Sequence, residues 1–118
     1  MPSLPIVSIV VPTYNEEKDI RATIEALLRL DYPNIEIIIV DDSTDRTPAI
    51  IQEYTSRGVS MLHQSTLEGR CGARNLGIQH ASGEIIVVLN ADVLLPANFI
   101  QRVLSHYREG ADYVLVKS

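Results

Sequence analysis

Short apolar runs alternate along this chain with longer stretches whose apolar positions fall at helical spacing. Ile6 to Val11 is a β-branched run closed by Pro12, which predicts a buried strand. From Glu16 to about Leu30, Ile20, Ile24, Leu27 and Leu28 recur with helical period. Asn15 is the expected N-cap of that helix, with Glu16 and Glu17 in its positive first turn. Ile35 to Val40 predicts a second buried strand, ending in Asp41-Asp42-Ser43. Thr47 as cap and Pro48 at the first helical position open a second helix that turns Ile50, Ile51 and Tyr54 inward and ends at Arg57-Gly58.

Val59 to His63 predicts a third strand, followed by a glycine-containing loop from Glu68 to Gly72. A helix of small residues then runs to about Ala81, with Gly83 as its stop and Gly77 permitting close packing on a sheet. Glu84 to Leu89 predicts a fourth strand, ending in Asn90-Ala91-Asp92. Pro96 opens a helix with Phe99, Ile100, Val103, Leu104 and Tyr107 on one face, Gly110 follows it, and Tyr113 to Val116 is a last strand. Strands separated by helices read as βαβ units with right-handed crossovers. The expected fold class is therefore α/β, a Rossmann-like three-layer α/β/α sandwich around a mostly parallel five-stranded sheet, with residues 1–118 as one domain.

Composition narrows the function classes. The formal net charge of −5 argues against a general nucleic-acid binder, which needs a basic face to neutralise phosphates. A single cysteine, Cys71, allows no internal disulfide and fits a reducing, cytoplasmic setting. The N-terminus carries no basic run leading into an apolar stretch, and no apolar run approaches bilayer-spanning length, so neither a secretory signal nor a transmembrane segment is expected. Association with a membrane would be peripheral. His63, His80 and His106 lack the paired spacing of a zinc site.

The polar clusters all follow strands: Pro12-Thr13-Tyr14-Asn15-Glu16, Asp41-Asp42-Ser43 and Asn90-Ala91-Asp92. In an open α/β sheet ligands bind outside the carboxyl ends of the strands, so the three clusters should converge on one crevice. The turn after the first strand contains no glycine, which excludes the dinucleotide fingerprint, and the P-loop pattern is absent too. Carboxylates at two strand ends suit a nucleotide read by hydrogen bonds at its base or ribose. Its diphosphate would be held through Mg²⁺ or Mn²⁺, which take oxygen ligands from one or two carboxylates and from phosphates. Arg70, in the glycine loop, suits a phosphate contact or plain solvation equally.

Four segments together resemble the family 2 glycosyltransferases of GT-A fold. They are Val10-Val11-Pro12-Thr13-Tyr14-Asn15-Glu16, Glu36 to Asp45, Gly72-Ala73-Arg74-Asn75-Leu76-Gly77-Ile78 and Leu89-Asn90-Ala91-Asp92, in that order. The resemblance implies that Pro12, Thr13, Tyr14 and Glu16 contact the nucleoside of a UDP- or GDP-linked sugar. It implies that Asp42 hydrogen-bonds the base, that Asp41 either joins it or orients the loop, and that Arg74 and Asn75 face the donor. The segment Asn90-Ala91-Asp92 is similar to an Asp-x-Asp motif with asparagine at its first position, so the metal would rest on Asp92.

The activity implied is inverting transfer of a hexose to an acceptor. In the family the general base lies in a downstream half, beyond Ser118 here, so turnover by this chain alone is in question. A nucleotidyltransferase on a similar sheet is a rival reading, although the glycine-rich basic loop such enzymes carry after the first strand is missing. A non-catalytic nucleotide-binding or assembly module is another. A last strand with no continuation predicts a bare sheet edge, and hence a homo-oligomer.

Overall fold

The computed structural model describes residues 5–64, 69–91, 96–102 and 113–115, with side chains for 5–64, 72–91 and 96–102. Its elements in chain order are β1 (Val7–Thr13), α1 (Ile20–Leu28), β2 (Ile35–Asp41), α2 (Thr47–Gln52), a 3₁₀ turn (Thr55–Arg57), β3 (Val59–His63), α3 (Gly69–His80), β4 (Ile85–Val88) and β5 (Tyr113–Leu115). The strands lie in the order β3-β2-β1-β4-β5, every pairing parallel. The expected five-stranded parallel α/β sheet is thus present.

Parity along the strands sorts the core into two layers, because residues i and i+2 of a strand share a face. Val7, Ile9 and Val11 of β1, Ile37 and Ile39 of β2, and Ile85, Val87 and Leu89 pack with Ile20, Ile24 and Leu27 of α1 and Ile50, Ile51 and Tyr54 around α2. Ile100, from a helical turn at 99–102, joins the same layer. The opposite parity, Ile38 and Val40, packs on Ala73 of α3, with Leu62, Leu76 and Ala81 at its margin. A sheet covered on both faces explains why its strands read as continuous apolar runs and not as alternating ones.

Glycine sets the depth of the second layer. A Cβ on Gly77 would lie 2.3 Å from Val10 Cγ1 and 3.2 Å from Val40 Cγ2, so α3 seats directly on β1 and β2. Gly77→Ala should destabilise the protein by about 1–3 kcal/mol, the cost of overpacking a close-packed contact, readable as a lowered urea midpoint. Gly83 was expected to stop the helix, but α3 ends at His80. The tight spot at Gly83 is instead backbone approach, since a Cβ there would lie 2.5 Å from Ser8 Oγ and 2.7 Å from both Ile6 O and Ser8 N.

Further boundaries differ from the sequence reading: Thr47 is the first residue of α2 and not its cap, and α2 ends at Gln52, with the 3₁₀ turn Thr55–Arg57 leading on to Gly58. Pro12 does not close β1; it pairs with Val40 inside the strand. Val10 O accepts from Leu89 N, so Val10 and, two residues on, Pro12 turn their backbone toward β4, whose pairing has ended by then. The missing proline N–H is not needed there. The glycine segment expected as a loop forms the first turn of α3, which begins at Gly69. The first helix is shorter than expected, Ile20–Leu28, and Asn15 does not cap it. For the last helix, Phe99 and Ile100 face the core as expected, whereas Val103, Leu104, Tyr107 and Gly110 lie outside the described residues.

At the amino end of the sheet, Glu36 accepts hydrogen bonds from Ser8 Oγ (2.6 Å), Ser82 N (2.9 Å) and Ser82 Oγ (2.8 Å). Burial pushes its carboxyl up, but these three donors outweigh that and hold it below the ordinary 4.5. A folded-state value below the unfolded one means that the unfolded chain takes up the proton first as acid is added. The stability Glu36 contributes is therefore complete above pH 4.5 and is lost as pH falls through the lowered folded-state value. Glu36→Gln should be less stable than the parent at pH 7, and the gap should narrow toward pH 3 in urea unfolding series.

Candidate functional site

Strand order places the switch point at β1. The chain moves from β1 to β2 and β3 on one side, then crosses back to β4 on the other. The carboxyl ends of β2, β1 and β4 are neighbours, so residues 13–17, 41–47 and 89–91 share one rim. The three clusters read from sequence converge there as far as they are described; Asp92 lies outside the described residues.

The loops after β1 and β2 are stapled together. Thr13 Oγ1 donates to Asp41 Oδ1 at 2.6 Å, joining the paired last residues of the two strands. Two hydroxyls then act as relays between a carboxylate and an amide of the facing loop. Ser43 Oγ donates to Asp41 Oδ1 (2.7 Å) and accepts from Asn15 N (2.8 Å). Thr47 Oγ1 donates to Asp45 Oδ1 (2.5 Å) and accepts from Glu16 N (2.9 Å). Asp45 Oδ2 also accepts from Glu17 N at 3.4 Å. A hydroxyl can donate once while accepting, which is what this arrangement needs.

Asn15 stands at the centre with a left-handed backbone, φ 52, rare outside glycine but most accessible to asparagine and aspartate. Its side chain, expected as a helix cap, crosses to the other loop instead. Asn15 Oδ1 accepts from Thr44 N at 2.8 Å, Thr44 Oγ1 at 3.3 Å and Asp45 N at 3.3 Å. The start of α1 is closed by backbone alone, Asp19 N and Ile20 N donating to Glu16 O.

Three neighbouring carboxylates consequently differ in what they can do. Asp41 is 1% exposed and accepts from Thr13 Oγ1, Ser43 Oγ and, at 3.2 Å, Ser43 N. Its bonds are those of a loop-orienting group. Asp45 Oδ1 accepts from the amide of Thr47, the first residue of α2, at 2.9 Å. Desolvation raises its pKa, and the donors from Thr47, Glu17 and its own amide more than offset that, so it stays below the ordinary aspartate value. Asp42 is half-buried, and its carboxylate has no partner among the described residues. Its backbone is fixed on both sides, by Asp42 N to Thr13 O (3.2 Å) and by the anchored amides 43–45. Tyr14, 62% exposed, stands on the same rim.

The remaining candidates divide. Pro12 and Thr13 are buried, and Glu16 is half-buried at the rim. On the β4 side Asn90 is half-buried and already has a protein partner. Ala91 is buried, and its carbonyl accepts from the hydroxyl of Thr23, a buried residue of α1. Arg74 is half-buried and Asn75 exposed on α3, while the Arg70 and Cys71 side chains lie outside the described residues. Among the described residues no three His, Cys, Asp or Glu side chains gather in metal-binding proximity. None of the described helices is long and apolar enough to cross a membrane. The residues that sequence reasoning missed are Asn15, Ser43, Asp45 and Thr47 in their clamping roles. Their signal was the density of Asn, Ser, Thr and Asp in two loops that follow adjacent strands.

The parallel sheet carries an acidic, glycine-free rim at its switch point, and its fold is that of the GT-A type. The chain belongs to glycosyl transferase family 2, whose model matches residues 8–118. It is 37% identical over 114 residues to glycosyltransferase GlyG of Streptococcus pneumoniae, covering 93% of this chain and 38% of that protein. It is 35% identical over 101 residues to the Escherichia coli enzyme WfgD, a UDP-Glc:alpha-D-GlcNAc-diphosphoundecaprenol beta-1,3-glucosyltransferase, covering 85% and 40%. Among solved structures it resembles the mannosyltransferase PcManGT of Pyrobaculum calidifontis, in complex with GDP-Man and Mn2+ (TM-score 0.79, 30% identity, 85% of this chain and 31% of that one). It also resembles S. aureus TarS 1-349 in complex with UDP-GlcNAc (TM-score 0.77, 28% identity, 88% and 31%). The chain thus spans about two fifths of the curated relatives it matches.

Proposed function

We propose that the rim formed by residues 13–16 and 41–45 receives the nucleoside of a UDP- or GDP-linked sugar, as the donor site of an inverting hexosyl transfer. One observation carries the reading: Asp42 is the acid of its loop whose carboxylate has no partner among the described residues, and its backbone is held rigidly. A half-buried carboxylate accepts well from a base N–H, a bond stronger than one between neutral groups. Tyr14 offers an exposed ring on the same rim. The nucleotide sugars bound by PcManGT and TarS support a nucleoside diphosphate sugar as ligand class.

The diphosphate belongs on the β4 side, where Asn90 and Asp92 follow the strand. Asp92, with oxygens of the diphosphate itself, would hold a Mg²⁺ or Mn²⁺ ion, a donor set of hard oxygens that suits either cation. Such an ion neutralises the diphosphate and stabilises it as a leaving group. The protein's own part is to read the nucleoside, to orient the donor and to exclude others by shape. Arg70, Arg74 and Asn75, on the helix that opens toward the same rim, are proposed contacts to the donor's polar groups.

The test is calorimetric titration with UDP- and GDP-sugars, each with and without Mn²⁺. Binding of one nucleotide class, strengthened by the cation, is expected. Absence of binding by all of them would sink the reading.

A further inference from the structure

We infer that Asn15 is a positioning residue of the donor site: it touches no ligand, but its left-handed backbone and its side-chain oxygen hold the Asp42 loop in the geometry that reads the nucleoside. The inference rests on the proposed donor function and names a further determinant of that same site.

Four consecutive amides, those of Asp42, Ser43, Thr44 and Asp45, donate inward. Their acceptors are Thr13 O, Asp41 Oδ2 and, for the last two, Asn15 Oδ1. Asn15 therefore anchors two of the three amides that follow Asp42. The clamp is reciprocal, because Asn15 N donates to Ser43 Oγ at 2.8 Å. Its φ of 52 reverses the chain after the exposed Tyr14 so that amide and side chain of one residue both meet the facing loop. A β-branched or bulky residue cannot hold that backbone without strain, and glycine can hold it but has no acceptor.

The amides 42–45 are all engaged within the protein, so none of them is left to cradle a phosphate, and the Asp42 carboxylate is the acceptor this loop leaves without a partner among the described residues. A carboxylate selects a base edge only if its position is fixed before binding. Otherwise the cost of ordering the loop is charged against affinity. Asn15 removes that cost in advance.

Two substitutions separate the roles of backbone and side chain. Asn15→Gly keeps the left-handed turn and deletes the acceptor, whereas Asn15→Asp keeps both. In the purified protein, calorimetric titration with UDP and with GDP should show binding weakened about tenfold or more in Asn15→Gly, the order of effect expected from losing amide anchors, and restored to within about threefold in Asn15→Asp. Amide exchange at Thr44 and Asp45 should quicken by about tenfold in Asn15→Gly without ligand. Ser8→Ala, at the opposite end of the sheet, serves as the control: it should lower the melting temperature while leaving nucleotide affinity unchanged.

Parent-like affinity in Asn15→Gly, or unchanged exchange at Thr44 and Asp45, would overturn the positioning role while leaving the donor-site reading intact. Failure of the unsubstituted protein to bind either nucleotide would overturn both. Equal loss of affinity in Ser8→Ala and Asn15→Gly at matched loss of melting temperature would reduce Asn15 to a contributor to stability only.

Discussion

Asp42→Asn should weaken nucleotide binding by at least about tenfold while leaving the melting temperature near that of the parent. A charge-assisted hydrogen bond contributes roughly 1.5–3 kcal/mol, and every 1.4 kcal/mol is a factor of ten in affinity. The fold should not notice the change, because the Asp42 carboxylate has no partner among the described residues. The amide that replaces it can present a donor where the base N–H needs an acceptor, so the loss should be greatest for the nucleotide the parent prefers. Titration of the variant and the parent with UDP and GDP, alongside thermal melts, checks the claim. An Asp42→Asn protein that binds as the parent does would remove this residue from the site.

Asp41→Ala should do the reverse and strike stability first. This carboxylate is 1% exposed and accepts from Thr13 Oγ1, Ser43 Oγ and Ser43 N. Deleting it strands those donors at a buried joint, at about 1–3 kcal/mol for each group left unsatisfied. The total should fall in the range of about 2–4 kcal/mol, since solvent reaches Ser43 and will satisfy part of it. Chemical denaturation should therefore show a midpoint lowered well beyond that of Asp42→Asn. Affinity measured at low temperature, where the folded fraction is high, should fall too, because Ser43 Oγ would lose the acceptor that aims it at Asn15 N. A midpoint within about 0.5 kcal/mol of the parent would contradict the assignment of Asp41 as the joint of the two loops.

The contrast between these neighbours shows how far the sequence could be read. Two adjacent acids at a strand end point to opposite sides, so one of the pair must share the parity of Ile37 and Ile39. That residue is Asp41, which lies opposite Thr13 in the β1–β2 register. The parity was visible in the chain; the register that brings a hydroxyl to the buried acid was not. The five strands were legible for a simpler reason. The buried parallel strands β1, β2 and β4 are β-branched runs, and the short apolar stretches of β3 and β5 stand between polar and glycine-containing segments.

What escaped sequence reasoning depended on neighbours distant in the chain. Asn15 before two glutamates has the composition of a helix cap, and only the adjacency of the β1 and β2 loops turns its oxygen toward Thr44 and Asp45. Pro12 looks like a strand breaker until the length of β4 is known. Gly69 to Gly72 has poor helix propensity, which the packing of α3 on the sheet overrides, as tertiary context commonly does. The β4 side of the rim is legible as far as Ala91, whose carbonyl is fixed by Thr23 of α1. The cation proposed there depends on Asp92, beyond the described residues.

The most direct test of the donor site is amide chemical-shift mapping of the protein as UDP or GDP is added to about 1 mM, the upper end of ordinary substrate affinities. The shifted amides should cluster in residues 13–16 and 42–45, at the carboxyl ends of β1 and β2, with those around Glu36 and Ser82 unmoved. Shifts centred on the Glu36–Ser82 end of the sheet, or no shifts with either nucleotide, would contradict the donor site.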